Sequence, residues 1–161
     1  MPNYYKIIIP TTPHPDVVAG IFLLKKFGGE KYPGISDATV ETLQQLPDCE
    51  NSMSLDKKGI LCLDVGGGKF DHHGKNIHLA KIIAQDLGIA NENALAKLLS
   101  YSERDDKYGL GTISTDSLDR AFGLSGLVAA LNKTVQDSQK VVNIVLPLLE
   151  AHYEEEVKRI H

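Results

Sequence analysis

Apolar residues follow two patterns along the chain, short continuous runs and stretches of helical spacing. Residues 5–9 and 59–65 are almost continuously apolar, which is typical of strands buried on both faces of a sheet. Between residues 16 and 27 apolar positions recur every three or four residues and a Gly-Gly pair follows, so we expect a helix there. Strand, loop and helix in this order predict an α/β fold with a mainly parallel sheet flanked by helices.

Further segments with helical spacing account for most of the remaining chain. They are residues 36–46, 78–87, 91–102, 125–131 and 138–160. The last segment contains Pro147, which favours a kink. We expect residues 1–134 to form the α/β domain and residues 135–161 to form a long C-terminal helix. Its apolar positions suit packing on this core or on a partner, for example as a homodimer.

Composition narrows the class of protein. The 161 residues include 17 Lys and Arg and 21 Asp and Glu, and the net charge of −4 argues against a dedicated duplex-DNA-binding surface. The hydrophobic fraction of 42% and the charged fraction of 24% are ordinary for a soluble globular domain. No signal peptide is evident and no apolar run approaches the ~18 residues of a membrane span. We therefore expect a cytoplasmic protein with no membrane partner.

The sharpest chemical signal is the tripeptide Asp71-His72-His73, which precedes Gly74. A histidine in a glycine-flanked loop can turn a ring nitrogen toward a metal ion, and an adjacent carboxylate can fix its tautomer. A solvated surface loop with a chance pair of histidines explains the same residues about equally well.

Three further sets of polar residues lie where strands or helices end. They are His14 and Asp16 after the first strand, Asp64 at the end of the second strand, and Asp105 and Asp106 at the end of a helix. Each set also has an ordinary structural explanation, as a helix N-cap, a turn aspartate or an exposed loop. Because ligands bind beyond the carboxyl ends of parallel strands, we expect His14, Asp16 and Asp64 to meet at one edge of the sheet.

Together these residues make a ligand set of nitrogen and oxygen donors without a thiolate. The two cysteines, Cys49 and Cys62, lie outside any zinc-binding spacing. Imidazole and carboxylate donors suit Mn²⁺, Mg²⁺ or Fe²⁺, with Zn²⁺ as a further alternative. The sequence therefore predicts a divalent-metal site of hard ligands.

Residues 63–73, with the sequence LDVGGGKFDHH, resemble the signature of the DHH phosphoesterase superfamily. Within it the strongest resemblance is to the metal-dependent hydrolases typified by the melanocyte-proliferating-gene exonuclease. Residues 14–19, 104–109 and 124–132 are similar to other segments of that family, in the same order. The resemblance is therefore spread over most of residues 5–132 and implies a DHH-like N-terminal domain.

The resemblance implies a Mn²⁺-dependent phosphodiesterase or exonuclease that acts on a nucleotide or a short oligonucleotide. It implies that Asp64 bridges two ions. It also implies that His73 and Asp71 are the catalytic residues, with His73 facing the substrate phosphate or the scissile oxygen. The implied metal ligands are His14, Asp16, Asp64 and His72, completed by Asp105 or Asp106. The basic residues that would hold the phosphate are Lys69, Lys75 and Arg104.

Residues 9–18 depart from the family pattern. The stretch Ile-Pro-Thr-Thr lacks a further histidine, and Val17 and Val18 stand where family enzymes carry acids. The alternative function is therefore a degenerate, non-catalytic module that binds a metal or a nucleotide and acts with a protein partner.

Overall fold

The computed structural model describes residues 2–72, 74–109 and 114–160. The strands of this part are β1 (Lys6–Ile9), β2 (Thr39–Thr42) and β3 (Ile60–Cys62). Its α-helices are α1 (Pro15–Phe27), α2 (Ser52–Lys57), α3 (Leu79–Asp86), α4 (Ala96–Tyr108), α5 (Ser117–Phe122), α6 (Leu124–Val135) and α7 (Ser138–Ile160). Short 3₁₀ turns at Ile35–Asp37 and Asn93–Leu95 precede β2 and α4.

The three strands form one parallel sheet in the order β2-β1-β3. Lys6 at the start of β1 pairs with Thr39 on one side and with Ile60 on the other, so the strands begin level with one another. This confirms the predicted α/β class with a parallel sheet and flanking helices. Because β1 and β3 are neighbours, the loops that follow their carboxyl ends also lie side by side.

Hydrophobic side chains cover both faces of the sheet. Ile7 and Ile9 of β1 belong to the main core, together with residues of α1, α3, α4 and α7. Ile8 points to the opposite face and joins a smaller core with Leu55 of α2 and Cys62 of β3. This burial on two faces explains why residues 5–9 and 59–65 are almost continuously apolar.

Helix α7 packs on the core through one of its faces. Val141, Val142 and Val145 are fully buried in the main core, whereas Ile144 and Leu148 remain 46% and 54% exposed. The helix continues through Pro147 to Ile160. None of the helices in the described part of the chain combines the length and apolarity that a bilayer span requires.

The prediction of a helix at residues 36–46 is wrong. A single 3₁₀ turn occupies Ile35–Asp37, and the chain then forms strand β2, in which Val40 is buried. The spacing of Val40, Leu43 and Leu46 suggested a helix. In the structure Val40 joins the main core, while Leu43 and Leu46 pack on the smaller core. Pairing with β1 therefore overrides the local pattern.

The two cysteines are free thiols in different surroundings. Burial, together with the charge of Asp56, raises the pKa of the Cys62 thiol to about 11, whereas Cys49 is exposed. Because the thiolate is the nucleophile, native Cys62 should react with iodoacetamide at least about 100-fold more slowly than an unperturbed thiol at about pH 8. Mass spectrometry should find one modified thiol per native chain and two per unfolded chain.

The Cys49→Ser variant is the control for this assignment. It should take up no label while folded and one label after unfolding. Rapid labelling of folded Cys49→Ser would contradict the buried position of Cys62.

Candidate metal centre

A glycine-rich turn brings His72 back to Asp64 at the end of β3. The strand hydrogen bonds stop at Leu63, and Asp64 takes a left-handed backbone conformation with φ of 59°. Val65 and Gly66 follow. At Gly66 φ is 81°, and a Cβ atom would collide with the side chain of Leu46, so glycine is favoured there. The Asp64 N–H then donates to the carbonyl of Phe70, which closes the turn at 2.8 Å.

The His72 ring lies between two carboxylates. Its Nδ1 donates to Asp64 Oδ1 at 2.5 Å, and the same oxygen lies 3.3 Å from the His72 backbone nitrogen. On the other side, His72 Nε2 lies 3.2 Å from Asp106 Oδ1, in the last turn of α4. Asp64 therefore fixes the orientation of the ring, and Nε2 faces Asp106.

Asp16 does not cap the helix in which it lies, contrary to its ordinary structural explanation. His14 is the N-cap residue of α1, and the fully buried carboxylate of Asp16 instead reaches the start of α3. It accepts hydrogen bonds from the N–H groups of Leu79 and Ala80, both at 3.0 Å, and from His78 Nδ1 at 3.0 Å. Asp16 thus satisfies the free N–H groups of α3 and joins α1 to α3.

Four of the predicted ligands converge around the His72 ring, and we call Asp16, Asp64, His72 and Asp106 the His72 cluster. One ligand atom each from Asp16, His72 and Asp106 lies within 4.8 Å of the other two. Three carboxylates and one imidazole form a donor set of oxygen and nitrogen that suits a hard or borderline divalent ion.

The electrostatics of the His72 cluster reflect an excess of negative charge. Burial raises the pKa of Asp64, and the hydrogen bonds and charge of His72 oppose this effect only in part. Burial lowers the pKa of His72, but its hydrogen bond to Asp64 and the charges of Asp64, Asp106 and Asp16 raise it by more, so the net pKa is above the ordinary value. The surroundings therefore favour a positive charge on or beside the ring.

His14 and Asp105 form a second contact beside the His72 cluster. His14 Nδ1 lies 3.6 Å from Asp105 Oδ2, and Asp105 Oδ1 accepts a hydrogen bond from the Ser125 hydroxyl at 2.8 Å. Burial lowers the pKa of His14, while the adjacent Asp105 carboxylate and the charges of Asp16 and Asp64 raise it to a net value above the ordinary one. Of the two neighbouring acids of α4, Asp105 therefore contacts His14 and Asp106 contacts His72.

A cavity of about 520 Å³ opens beside this second contact. Its polar lining includes His14, Asp105, Asp106, Ser125 and Lys133. A volume of this size suits a small-molecule ligand. The cavity therefore adjoins the His72 cluster, because Asp106 belongs to both.

Asp71, the first residue of the tripeptide motif, lies in the loop before His72. Asp71 Oδ2 accepts a hydrogen bond from the N–H of Gly67 at 3.1 Å, within the glycine-rich turn. The predicted catalytic residue His73 lies outside the described residues. Lys75 is exposed, and its N–H donates to the carbonyl of His72.

The structure places the charged groups of two of the predicted phosphate-binding residues, Lys69 and Arg104, over aromatic rings. The Lys69 ammonium lies over the Tyr32 ring, 4.7 Å from its centroid, and 3.5 Å from Asp86 Oδ1. Asp86 ends α3, whereas Asp16 contacts the beginning of that helix. Arg104 is exposed and lies 4.8 Å from the centroid of Tyr101.

Sequence analysis did not single out three residues that belong to this region. They are His78, which contacts Asp16, and Ser125 and Lys133, which line the cavity. A histidine directly before an apolar helical stretch was the available signal for His78. Ser125 lies within the segment 124–132 that carries the resemblance, and Lys133 follows that segment directly.

Comparison of the chain with models of protein families, with curated proteins and with solved structures gives no match.

Proposed function

We propose that this protein is a metal-dependent phosphoesterase that hydrolyses a phosphodiester of a nucleotide or a short oligonucleotide. The observation that carries the proposal is the convergence of Asp16, His72 and Asp106 within 4.8 Å, beyond the carboxyl ends of the parallel strands β1 and β3. The resemblance of residues 63–73 to the DHH phosphoesterases supports the same reaction class.

The arrangement of the His72 ring supports a cation at this place. Its Nδ1–H is donated to Asp64, so in the neutral ring Nε2 carries a lone pair. That lone pair would face Asp106 Oδ1 at 3.2 Å, and two acceptors at this distance repel unless a proton or a metal ion lies between them. His72, Asp106 and Asp16 are therefore the residues that would hold the ion.

A divalent ion such as Mn²⁺, when bound by these residues, would supply a water of lowered pKa and would polarise the phosphoryl group. Asp64 acts as a positioning residue, since it holds both the backbone N–H and the ring Nδ1 of His72. Mg²⁺, Fe²⁺ and Zn²⁺ are compatible with the same donors.

The adjoining cavity supports a substrate the size of a nucleotide. Its volume of about 520 Å³ lies in the range of small-molecule sites, and Lys133 supplies a positive charge. Ser125 and Thr12 add hydroxyl groups to the lining. Lys133 replaces Lys69 as the residue that we propose to contact the substrate phosphate.

A hydrolysis assay tests the proposed function. Purified protein with Mn²⁺ should hydrolyse bis(p-nitrophenyl) phosphate and a short oligoribonucleotide, and EDTA should abolish the reaction. The Lys133→Ala variant should raise KM about 5- to 10-fold with little change in kcat, since one charge-assisted contact is lost. The Lys57→Ala variant, at an exposed position on α2, is the matched control and should leave KM unchanged.

A non-catalytic metal-binding module is the second candidate function, and Asp16 favours it. Three donors already engage the Asp16 carboxylate, and Val17 and Val18 are buried in the core where family enzymes carry acids. On this alternative the protein would bind Mn²⁺ without hydrolysing any phosphodiester in the assay.

A further inference from the structure

Helix α7 carries an apolar stripe on the side that faces away from the core. Ile144 and Leu148 are about half exposed, and Pro147 and Ala151 are also exposed. These positions are separated by three or four residues, so they line one side of the helix over two turns. The buried residues Val141, Val142, Val145 and Leu149 occupy the other side.

Charged residues bound this stripe with opposite signs in mirrored order. Before it come Asp137 and Lys140, and after it come Glu155 and Lys158, all of them exposed. The spacing of three or four residues continues through these positions along α7. Asp137 directly precedes the helix, and its Oδ1 accepts a hydrogen bond from the N–H of Lys140 at 3.2 Å. The order of charges is therefore negative then positive before the stripe, and negative then positive after it.

We infer that two copies of this chain associate through antiparallel α7 helices. A two-fold axis between Pro147 and Leu148 would place Ile144 opposite Ala151 of the second copy. The same axis would place Lys140 opposite Glu155, and Asp137 opposite Lys158, so every facing pair of charges attracts. An isologous contact of this kind closes as a dimer.

Charge complementarity selects this orientation. A parallel pairing of the two helices would bring Lys140 to Lys140 and Glu155 to Glu155, and like charges at these positions are unfavourable. The antiparallel pairing converts the same residues into four ion pairs at the rim of an apolar centre. Such a rim contributes more to orientation than to affinity.

The surface beside the stripe extends the apolar area. A groove of about 310 Å³ lies next to Leu148, and its lining includes Leu98, Leu124 and Leu149. Leu127 of α6 is 42% exposed, and α6 packs along α7. A helix of 23 residues is about 35 Å long, so we expect a contact near or below the standard ~800 Å² per partner and a reversible dimer.

Sedimentation equilibrium over a wide range of protein concentration tests the association. Wild-type protein should convert from monomer to dimer, and Leu148→Glu should weaken the dimer by at least about tenfold, because it buries a charge in the apolar centre. Met53→Glu is the matched control, because Met53 is also an exposed hydrophobic residue but lies on α2. It should leave the association unchanged.

Charge reversal tests the orientation. Lys140→Glu and Glu155→Lys should each weaken the dimer, and the double variant, which restores the facing pairs, should recover it. In a Cys49→Ser background, chains with both Ile144→Cys and Ala151→Cys should form a disulfide-linked dimer on mild oxidation. Either substitution alone should not, since like positions lie on opposite sides of the axis.

Three results would overturn the inference. They are a monomer at every accessible concentration, a dimer that Leu148→Glu leaves intact, and cross-linking of Ile144→Cys alone. Circular dichroism of each variant separates loss of association from loss of folding. None of these measurements depends on hydrolysis, so the dimer and the proposed function stand or fall separately.

Discussion

Replacement of His72 by alanine is expected to reduce phosphodiester hydrolysis by at least about 100-fold while the fold is retained. The ring is the only nitrogen donor among the three described groups that converge within 4.8 Å, and it joins Asp64 to Asp106. Its loss would also leave Asp64 and Asp106 without the ring that lies between them. Steady-state rates with Mn²⁺ measure the effect, and circular dichroism checks the fold.

Two comparisons make this prediction specific. His152→Ala, at a histidine of α7 far along the chain from the cluster, should leave the rate unchanged. Asp64→Asn should lower it by about 10- to 100-fold, because asparagine tolerates the left-handed backbone but holds the ring less strongly. Full activity in His72→Ala would refute the assignment of the site.

Replacement of Asp16 by alanine is expected to destabilise the protein by about 3–5 kcal/mol. The fully buried carboxylate accepts three hydrogen bonds, and its removal leaves the N–H groups of Leu79 and Ala80 and the ring of His78 without it. A buried donor that loses its acceptor has no hydrogen bond to compensate for its removal from water, and this destabilises the folded state. Urea unfolding followed by circular dichroism measures the free energy of unfolding.

The Asp16→Asn variant should lie between wild type and Asp16→Ala. Its amide oxygen can still accept from one N–H of α3, but its NH₂ group meets the other donors. The exposed aspartate Asp48 provides the control, and Asp48→Ala should change the free energy of unfolding by less than about 0.5 kcal/mol. An Asp16→Ala protein as stable as this control would show that the carboxylate does not hold α1 to α3.

The parallel sheet, and the position of polar residues at the carboxyl ends of its strands, could be predicted from the sequence because strong local patterns determine them. Two apolar runs give β1 and β3, and the rule for carboxyl ends then brings Asp64 near the residues that follow β1. In these cases the local pattern and the tertiary packing agree. The sequence singles out the acidic pair at the end of α4, whereas the position of Asp106 beside His72 depends on how α4 packs.

Other features depend on contacts between distant segments and could not be predicted. Strand β2 has only four residues and exists because it pairs with β1. The role of Asp16 depends on α3, which begins 63 positions later at Leu79. Lys69 contacts Asp86 and the Tyr32 ring, and no local sequence pattern indicates which acidic residue a lysine contacts.

Equilibrium dialysis of Mn²⁺ against wild-type protein and His72→Ala measures whether the His72 cluster binds a metal ion. Wild-type protein should bind Mn²⁺ saturably at micromolar to submillimolar concentration, and the affinity of His72→Ala should be at least about 100-fold lower. Absence of binding to wild-type protein at millimolar Mn²⁺, or equal binding by both proteins, would contradict the assignment of the His72 cluster as a metal centre.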